Sequence, residues 1–154
     1  MRMVSRFWIL LLTLLTASAA ARGAPDKIIK VLPHHLDLNG RHAVSPSLFE
    51  RDAYQAMLRL NPSKRGGLQF DIQWKARKRP GRTLQLRLEL VTVNQPKGSP
   101  FTVDLEVTPT GAFGRWKRVK LDKALTDRLG EVIAWRIVLR EGGLDLSEQK
   151  SFLW

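Results

Sequence analysis

Apolar and polar residues alternate along six segments between Leu68 and the end of the chain. Alternation with a period of two is typical of a β-strand that has one face on a core and the other in water. Short segments rich in Gly and Pro separate the strands, and few helical residues lie between them, so we expect antiparallel pairing. The predicted strands cover residues 68–76, 84–90, 101–107, 115–121, 133–139 and 144–154.

Two elements precede these strands. Residues 28–38 predict a strand, and Pro33 indicates an edge strand or one broken in two, because proline cannot donate to a ladder. Residues 46–60 predict the one clear helix, which Ser45 or Ser47 can cap. The residues that fall on one apolar face of this helix are Phe49, Ala53, Ala56 and Leu60.

The connections between the predicted strands indicate how the strands are arranged. Asp122 can cap one or two helical turns that Gly130 ends, and Gly142-Gly143 predicts a hairpin. A single antiparallel sheet would leave an apolar face uncovered, so two sheets packed face to face are the natural arrangement. We therefore predict a mainly β protein, a two-sheet antiparallel sandwich of about seven strands, with residues 28–154 as one domain.

Several of these segments resemble a known class of sandwich. Residues 70–74 end in a tryptophan, residues 134–139 hold another, and a Gly-Gly hairpin and a closing strand follow. This arrangement resembles an immunoglobulin-like sandwich, and the strand spacing is similar to that of fibronectin type III domains, over residues 67–154. The cysteine pair of true immunoglobulin domains is absent, and the helix between the first and second strands is an addition. Residues 148–154 resemble the tails of small exported bacterial proteins, which implies no particular activity.

The first 21 residues have the pattern of a secretory signal peptide. Two arginines precede an apolar run over residues 7–16, and small residues follow at 17–21. The alternative is an uncleaved membrane anchor, but the apolar part is shorter than the roughly 20 residues that span a bilayer. We therefore predict a secreted or periplasmic protein that begins near Ala20 or Arg22, with residues 22–27 as a flexible leader and no stable membrane insertion.

Composition narrows the function classes. The chain has no cysteine, which excludes disulfides, thiolate metal sites, a cysteine nucleophile and a lipoprotein anchor. Lys and Arg number 26 and Asp and Glu number 14, for a net charge of +12. Without the signal peptide about +10 remains, which favours acidic partners such as anionic polysaccharide, lipid headgroups or an acidic protein, or simply keeps the domain soluble. Export argues against nucleic acid as the partner.

No motif predicts catalysis or metal binding. His34 and His35 are adjacent and should point to opposite faces of a strand, although His42 and Asp37 could approach one of them. Asp104 and Glu106 share a strand face about 7 Å apart, a spacing that suits glycoside hydrolysis, but that face is solvated. We therefore predict no enzyme, no catalytic residues, no metal and no cofactor.

Basic residues gather at two places, and one of them surrounds Trp116. A flat aromatic ring beside cations can bind a sugar ring that carries carboxylate or sulfate. The alternative is that Trp116 covers the sandwich edge and the cations are solvated. The candidate ligand-binding residues are Lys75, Arg77, Lys78 and Arg79 with Arg82 around one turn, and Arg115, Trp116, Lys117 and Arg118 with Lys120 along one strand.

The function predicted from these features is a non-enzymatic binding or structural module. The first hypothesis is a protein partner, bound by strand addition at an exposed sheet edge near Pro33 or at the final strand. The alternative is an acidic glycan or another polyanion, bound by Trp116 and the surrounding basic residues.

Overall fold

The structure is a computed structural model, and it describes residues 25–95 and 98–154. The predicted signal peptide and residues 22–24 of the predicted leader lie outside the described residues. Within those two ranges, no helix is long and apolar enough to span a membrane.

In the two described ranges, seven strands form two antiparallel sheets, which confirms the predicted fold class. One sheet has three strands in the order β1-β2-β5, and the other has four in the order β4-β3-β6-β7. Within the described residues, two helices, α1 and α2, and a short 3-10 helix at Pro62–Lys64 connect some of these strands. The elements are β1 (Lys27–Asp37), α1 (Leu48–Leu60), β2 (Arg65–Lys75), β3 (Leu84–Thr92), β4 (Phe101–Val107), β5 (Arg115–Asp122), α2 (Lys123–Leu129), β6 (Val132–Glu141) and β7 (Leu144–Lys150).

The core lies between the two sheets and contains the apolar positions of the period-two pattern. Trp74 is buried, as its place in the alternation predicts, and Trp135 is partly buried with its ring edge-on to Phe70. Burial of these apolar side chains is the main favourable contribution to the folding free energy of a sandwich that has no cysteine. The fully buried core side chains include Phe70, Ile72, Leu84, Leu86, Leu88, Leu90, Ile137 and Leu139.

Strand β1 is continuous through Pro33 and lies at the edge of its sheet, so proline marks an edge here and not a break. The start of β1 lies against β7 of the other sheet. Ser147 Oγ accepts a hydrogen bond from the backbone N–H of Ile28, and Gln149 donates to the carbonyl oxygen of Ile29. The start of β1 therefore contacts the final strand, and the backbone groups of Ile28 and Ile29 that make these bonds are not free for an added strand.

Helix α1 begins two residues later than predicted and packs through a different face. Ser47 occupies the N-cap position but makes no side-chain capping bond. The face of α1 that packs on the sheet carries Tyr54, Gln55 and Leu58. Gln55 donates hydrogen bonds to the carbonyl oxygens of His35 and His42. These polar contacts satisfy backbone groups of β1 and the following loop. The apolar face noted in the sequence therefore points away from the sheets.

Gly66 and Gly67 belong to strand β2, which begins three residues earlier than the strand predicted at residues 68–76. The backbone carbonyl oxygens of Asp37 and Leu121 approach these glycines on either side, and a Cβ at either position would clash with them. Glycine is needed here because neighbouring strands come closer than a side chain allows.

The last elements follow the sequence pattern closely. Asp122 accepts a hydrogen bond from the backbone N–H of Leu125 and caps α2, and Gly130 ends that helix in a left-handed conformation. The final strand ends at Lys150, four residues earlier than predicted, and Ser151 then bonds to the backbone of Trp135.

Candidate functional site

The outer face of the three-stranded sheet is polar and carries an exposed tryptophan. Strand register places Lys30 of β1, Gln73 of β2 and Trp116 of β5 in one row across this face. Neighbouring strands lie about 5 Å apart, so these side chains share one surface. This surface, called the Trp116 face from here on, consists of Lys30, Gln73, Lys75, Trp116, Arg118 and Lys120.

Trp116 points outward because it has the parity opposite to Val119 and Leu121, both of which are buried. The pairing of β2 with β5 runs without a bulge, so no shift returns the ring to the core. The side chain is 53% exposed. The sequence left open whether the Trp116 ring is exposed or covers the edge of the sandwich, and the structure shows an exposed ring.

The charges on the Trp116 face are mostly unbalanced. Asp71 lies among these residues, and it accepts a hydrogen bond from Arg118 at 3.0 Å, so this pair is neutral. Among the described residues, Lys30, Lys75 and Lys120 take part in no ion pair within 4.0 Å. The face therefore keeps a positive charge next to an exposed aromatic ring.

The structure divides the predicted ligand-binding residues among three places. Trp116, Arg118 and Lys75 lie together on the Trp116 face. Arg115 and Lys117 lie on the other side of β5 and line a cleft of ≈400 Å³ between the two sheets, which also reaches Trp116 and Glu106. The remaining predicted residues are in the loop after β2, namely Arg77, Lys78 and Arg79.

That loop is held against the loop before β5, which keeps its cations at the same end of the sandwich. The backbone N–H groups of Thr110 and Gly111 both donate to the carbonyl oxygen of Ala76, and Ala76 donates to Thr110 Oγ1. Because Trp74 pairs with Arg115, the loop begins two residues from the end of the β2–β5 ladder. The two basic groups predicted from the sequence are therefore neighbours, although their side chains do not share one face.

Arg82 does not belong to this basic surface. Its side chain is 2% exposed and donates to Glu141 at 2.7 and 2.8 Å and to Asp26 at 2.6 Å. It also donates to the carbonyl oxygen of Arg77 at 3.0 Å. The hydrogen bond from Arg82 lowers the pKa of Asp26, so both partners stay charged. Arg82 is a structural cation that joins the start of β1, the loop and the end of β6.

The outer face of the four-stranded sheet is charged but balanced. Arg87 makes two hydrogen bonds of 2.8 Å with Asp104, and this contact lowers the pKa of that carboxyl. Arg136 and Arg140 likewise pair with acidic residues on β3 and β7. Asp104 is therefore held as a carboxylate by an arginine, which makes it a poor general acid.

The histidines lie on two different surfaces. His34 is on the outer side of β1, with its ring 4.9 Å from that of His42 and 3.7 Å from Asp71. His35 is on the opposite side, as adjacent strand residues must be. Within the described residues, no group of three or more acidic or histidine side chains is placed to hold a metal ion.

A cavity that the sequence did not predict lies between the sheets at the end of β1. Its volume is ≈470 Å³, and its lining includes His35, Phe70 and Trp135. Burial, and then the charge of Arg65, lower the pKa of His35 and favour its neutral form. Arg65 itself is paired with Glu131 at 2.6 Å. This cavity arises from the packing of β1, β2 and β6, and the described residues that line it include no unpaired lysine or arginine.

No protein-family model, curated protein or solved structure matches this chain. The geometry of the Trp116 face and the charges around it are therefore the basis for a functional proposal.

Proposed function

We propose that this protein is a non-enzymatic binding module whose Trp116 face binds an acidic polymer, with an acidic polysaccharide as the favoured ligand. The observation that carries the proposal is the half-exposed Trp116 ring on a face where Lys30, Lys75 and Lys120 have no acidic partner among the described residues. An exposed aromatic face packs against a sugar ring, and neighbouring ammonium and guanidinium groups bind carboxylate or sulfate. The sequence left two hypotheses, a protein partner and an acidic glycan or other polyanion, and these features support the second.

The distribution of charge supports a ligand on this side of the molecule. The arginines on the outer face of the four-stranded sheet are neutralised by acidic neighbours, whereas Lys30, Lys75 and Lys120 are not. Among the described residues, the three-stranded sheet therefore carries unpaired lysines, whereas the arginines on the outer face of the four-stranded sheet are paired. Such a surface attracts polyanions through a field that salt screens.

Replacement of Trp116 by alanine should weaken binding to a heparin-type column or to an acidic glycan about tenfold, because the ring contact is lost while the charge is kept. The fold should be unaffected, since the ring is exposed. Affinity measured by titration calorimetry and retention at several salt concentrations test this expectation. Phe152→Ala is the matched control, because Phe152 is fully exposed but belongs to the C-terminal segment.

The same column assay can separate the contribution of the lysine charges to binding from that of the Trp116 ring. Lys75→Glu should shorten retention, and Lys64→Glu, the same charge change at the opposite end of β2, should have a smaller effect. Retention that ignores salt, or equal losses from both lysine variants, would count against a site on the Trp116 face.

We propose that the domain acts outside the cytoplasm, after removal of residues 1–19 or 1–21. Intact mass measurement of protein exported by a bacterial host should give an N-terminus at Ala20 or Arg22. A chain that keeps the apolar run at residues 7–16 would contradict cleavage and favour the anchor.

We also propose that the sandwich is immunoglobulin-like. In a constant-type immunoglobulin domain, the first, second, fifth and fourth strands form one sheet and the third, sixth and seventh form the other. The order found here differs only in β4, which pairs with β3 instead of β5. This relation, like the similarity to fibronectin type III domains, concerns architecture and assigns no activity.

A further inference from the structure

Helix α1 has an apolar stripe that nothing in the described structure covers. The side of the helix that packs on β1 carries Tyr54, Gln55 and Leu58. On the opposite side, Phe49 and Leu60 are each 82% exposed. The stripe consists of Phe49, Ala53, Ala56 and Leu60, and all four side chains are exposed.

The spacing of the stripe is that of a helix–helix interface. Its four residues are separated by four, three and four positions, which places them in a line along one face of a helix. The large residues stand at the two ends and the alanines in the middle. If a second copy of the helix is turned end for end, Phe49 lies opposite Leu60 and Ala53 lies opposite Ala56. The stripe is therefore complementary to itself in an antiparallel pair related by a two-fold axis.

The charges beside the stripe favour the same arrangement. Helical periodicity places Asp52 and Arg59 on one flank of the stripe, two turns apart, and Glu50 on the other flank. In the antiparallel pair, Arg59 of one copy lies near Asp52 of the second copy, and the symmetry repeats this contact. A parallel pair does not bring Asp52 and Arg59 together. Within the described residues, neither side chain makes an ion pair in one copy of the chain.

From these two features we propose that α1 is a self-association surface, through which two copies of this protein form an antiparallel helix pair. One helix of 13 residues provides a smaller contact than the roughly 1,600 Å² of a standard interface. The dimer is therefore weak, and it forms at protein concentrations of about 10 µM to 1 mM. Anion binding at the Trp116 face is a separate property that does not depend on this pairing.

Sedimentation velocity of the exported protein, at concentrations across that range, measures this association. The weight-average mass should rise from one chain to two. Phe49→Ser should raise the dissociation constant about 30-fold or more, because each dimer loses both aromatic anchors. Its melting temperature at low concentration should match the wild type, because the side chain is exposed in the monomer.

Charge reversal tests the antiparallel geometry itself. Asp52→Arg and Arg59→Asp should each weaken association about tenfold, since each replaces two attractive contacts by repulsive ones. The double variant should regain wild-type association within about threefold, because it restores both pairs. Glu50→Arg is the control. It makes the same change of charge as Asp52→Arg, but on the other flank of the stripe, which meets no opposite charge in the antiparallel pair.

Three results would overturn the proposal. They are a wild-type protein that stays monomeric throughout, a Phe49→Ser variant that associates as the wild type does, and a double variant that fails to recover. A monomeric wild type would mean that a second copy of the chain does not cover the stripe. Trp116→Ala should leave association unchanged, so failure of this proposal and failure of the proposed function are distinguishable.

Discussion

Replacement of Arg82 by glutamine should lower the free energy of unfolding by about 3–4 kcal/mol, the largest effect expected for any charged residue of this protein. The guanidinium is buried and binds Asp26, Glu141 and the carbonyl oxygen of Arg77. Glutamine cannot fill all of these contacts, so it would leave carboxylates partly buried without a cation. Urea denaturation monitored by tryptophan fluorescence gives the change, which should also lower the melting temperature by roughly 10 °C.

Arg87→Gln is the matched control for that measurement. Arg87 also binds a carboxylate with two hydrogen bonds, but both partners lie on the exposed face of the four-stranded sheet. Exposed pairs contribute about 0–1 kcal/mol, so this variant should be close to wild type. Equal losses from the two variants would show that burial of Arg82 is not what makes its contacts important.

Replacement of Asp37 by asparagine should cost about 3 kcal/mol at pH 7, the second-largest effect. Burial of this carboxyl opposes its ionisation, but hydrogen bonds from the Arg41 and Asn39 backbone, the Tyr54 hydroxyl and the Arg41 guanidinium outweigh burial. Together they lower the pKa of Asp37 from 3.8 to about 2. Asparagine brings an amide donor to a place where four donors already converge, so several bonds are lost.

The lowered pKa of Asp37 also predicts how stability depends on pH. The folded state holds this carboxylate ionised more strongly than the unfolded state does. The resulting stability, about 2 kcal/mol, is therefore fully present above the unfolded pKa of 3.8 and is lost as the pH falls through about 2. Denaturation of wild type and Asp37→Asn between pH 7 and pH 2 should show a difference that shrinks over that window.

A pH-independent difference between the two proteins would contradict this assignment. Asp127→Asn serves as the comparison, because Asp127 pairs with Lys123 on the exposed surface of α2. That variant should stay within about 0.5 kcal/mol of wild type across the whole range.

The strands were predictable because each carries its own signal. Alternation locates β3 and β4 within a residue or two, and Asp122 and Gly130 mark both ends of α2. The outward direction of Trp116 follows from the same alternation. Local patterns of this kind need no knowledge of the rest of the chain.

The errors come from contacts between distant parts of the chain. Helix α1 has an apolar face and a more polar face, and it packs on the sheet through the polar one. Gln55 and Tyr54 on that face make hydrogen bonds to the backbone and the Asp37 carboxylate of β1. Arg82 looked like a ligand-binding cation because its acidic partners are 56 and 59 residues away. The ≈470 Å³ cavity depends on how three strands pack, which no local pattern records.

The Arg82 cluster also sets a condition on the order of folding. Its parts lie at the start of β1, in the loop after β2 and at the end of β6, so no short fragment contains all of them. The pairing of β2 with β5 and of β3 with β6 is similarly remote in sequence. Contacts of high sequence separation form late, because the entropy of closing large loops is paid before they form. The cluster links β1 of one sheet to β6 of the other, so we expect it to form late and to couple the unfolding of the two sheets.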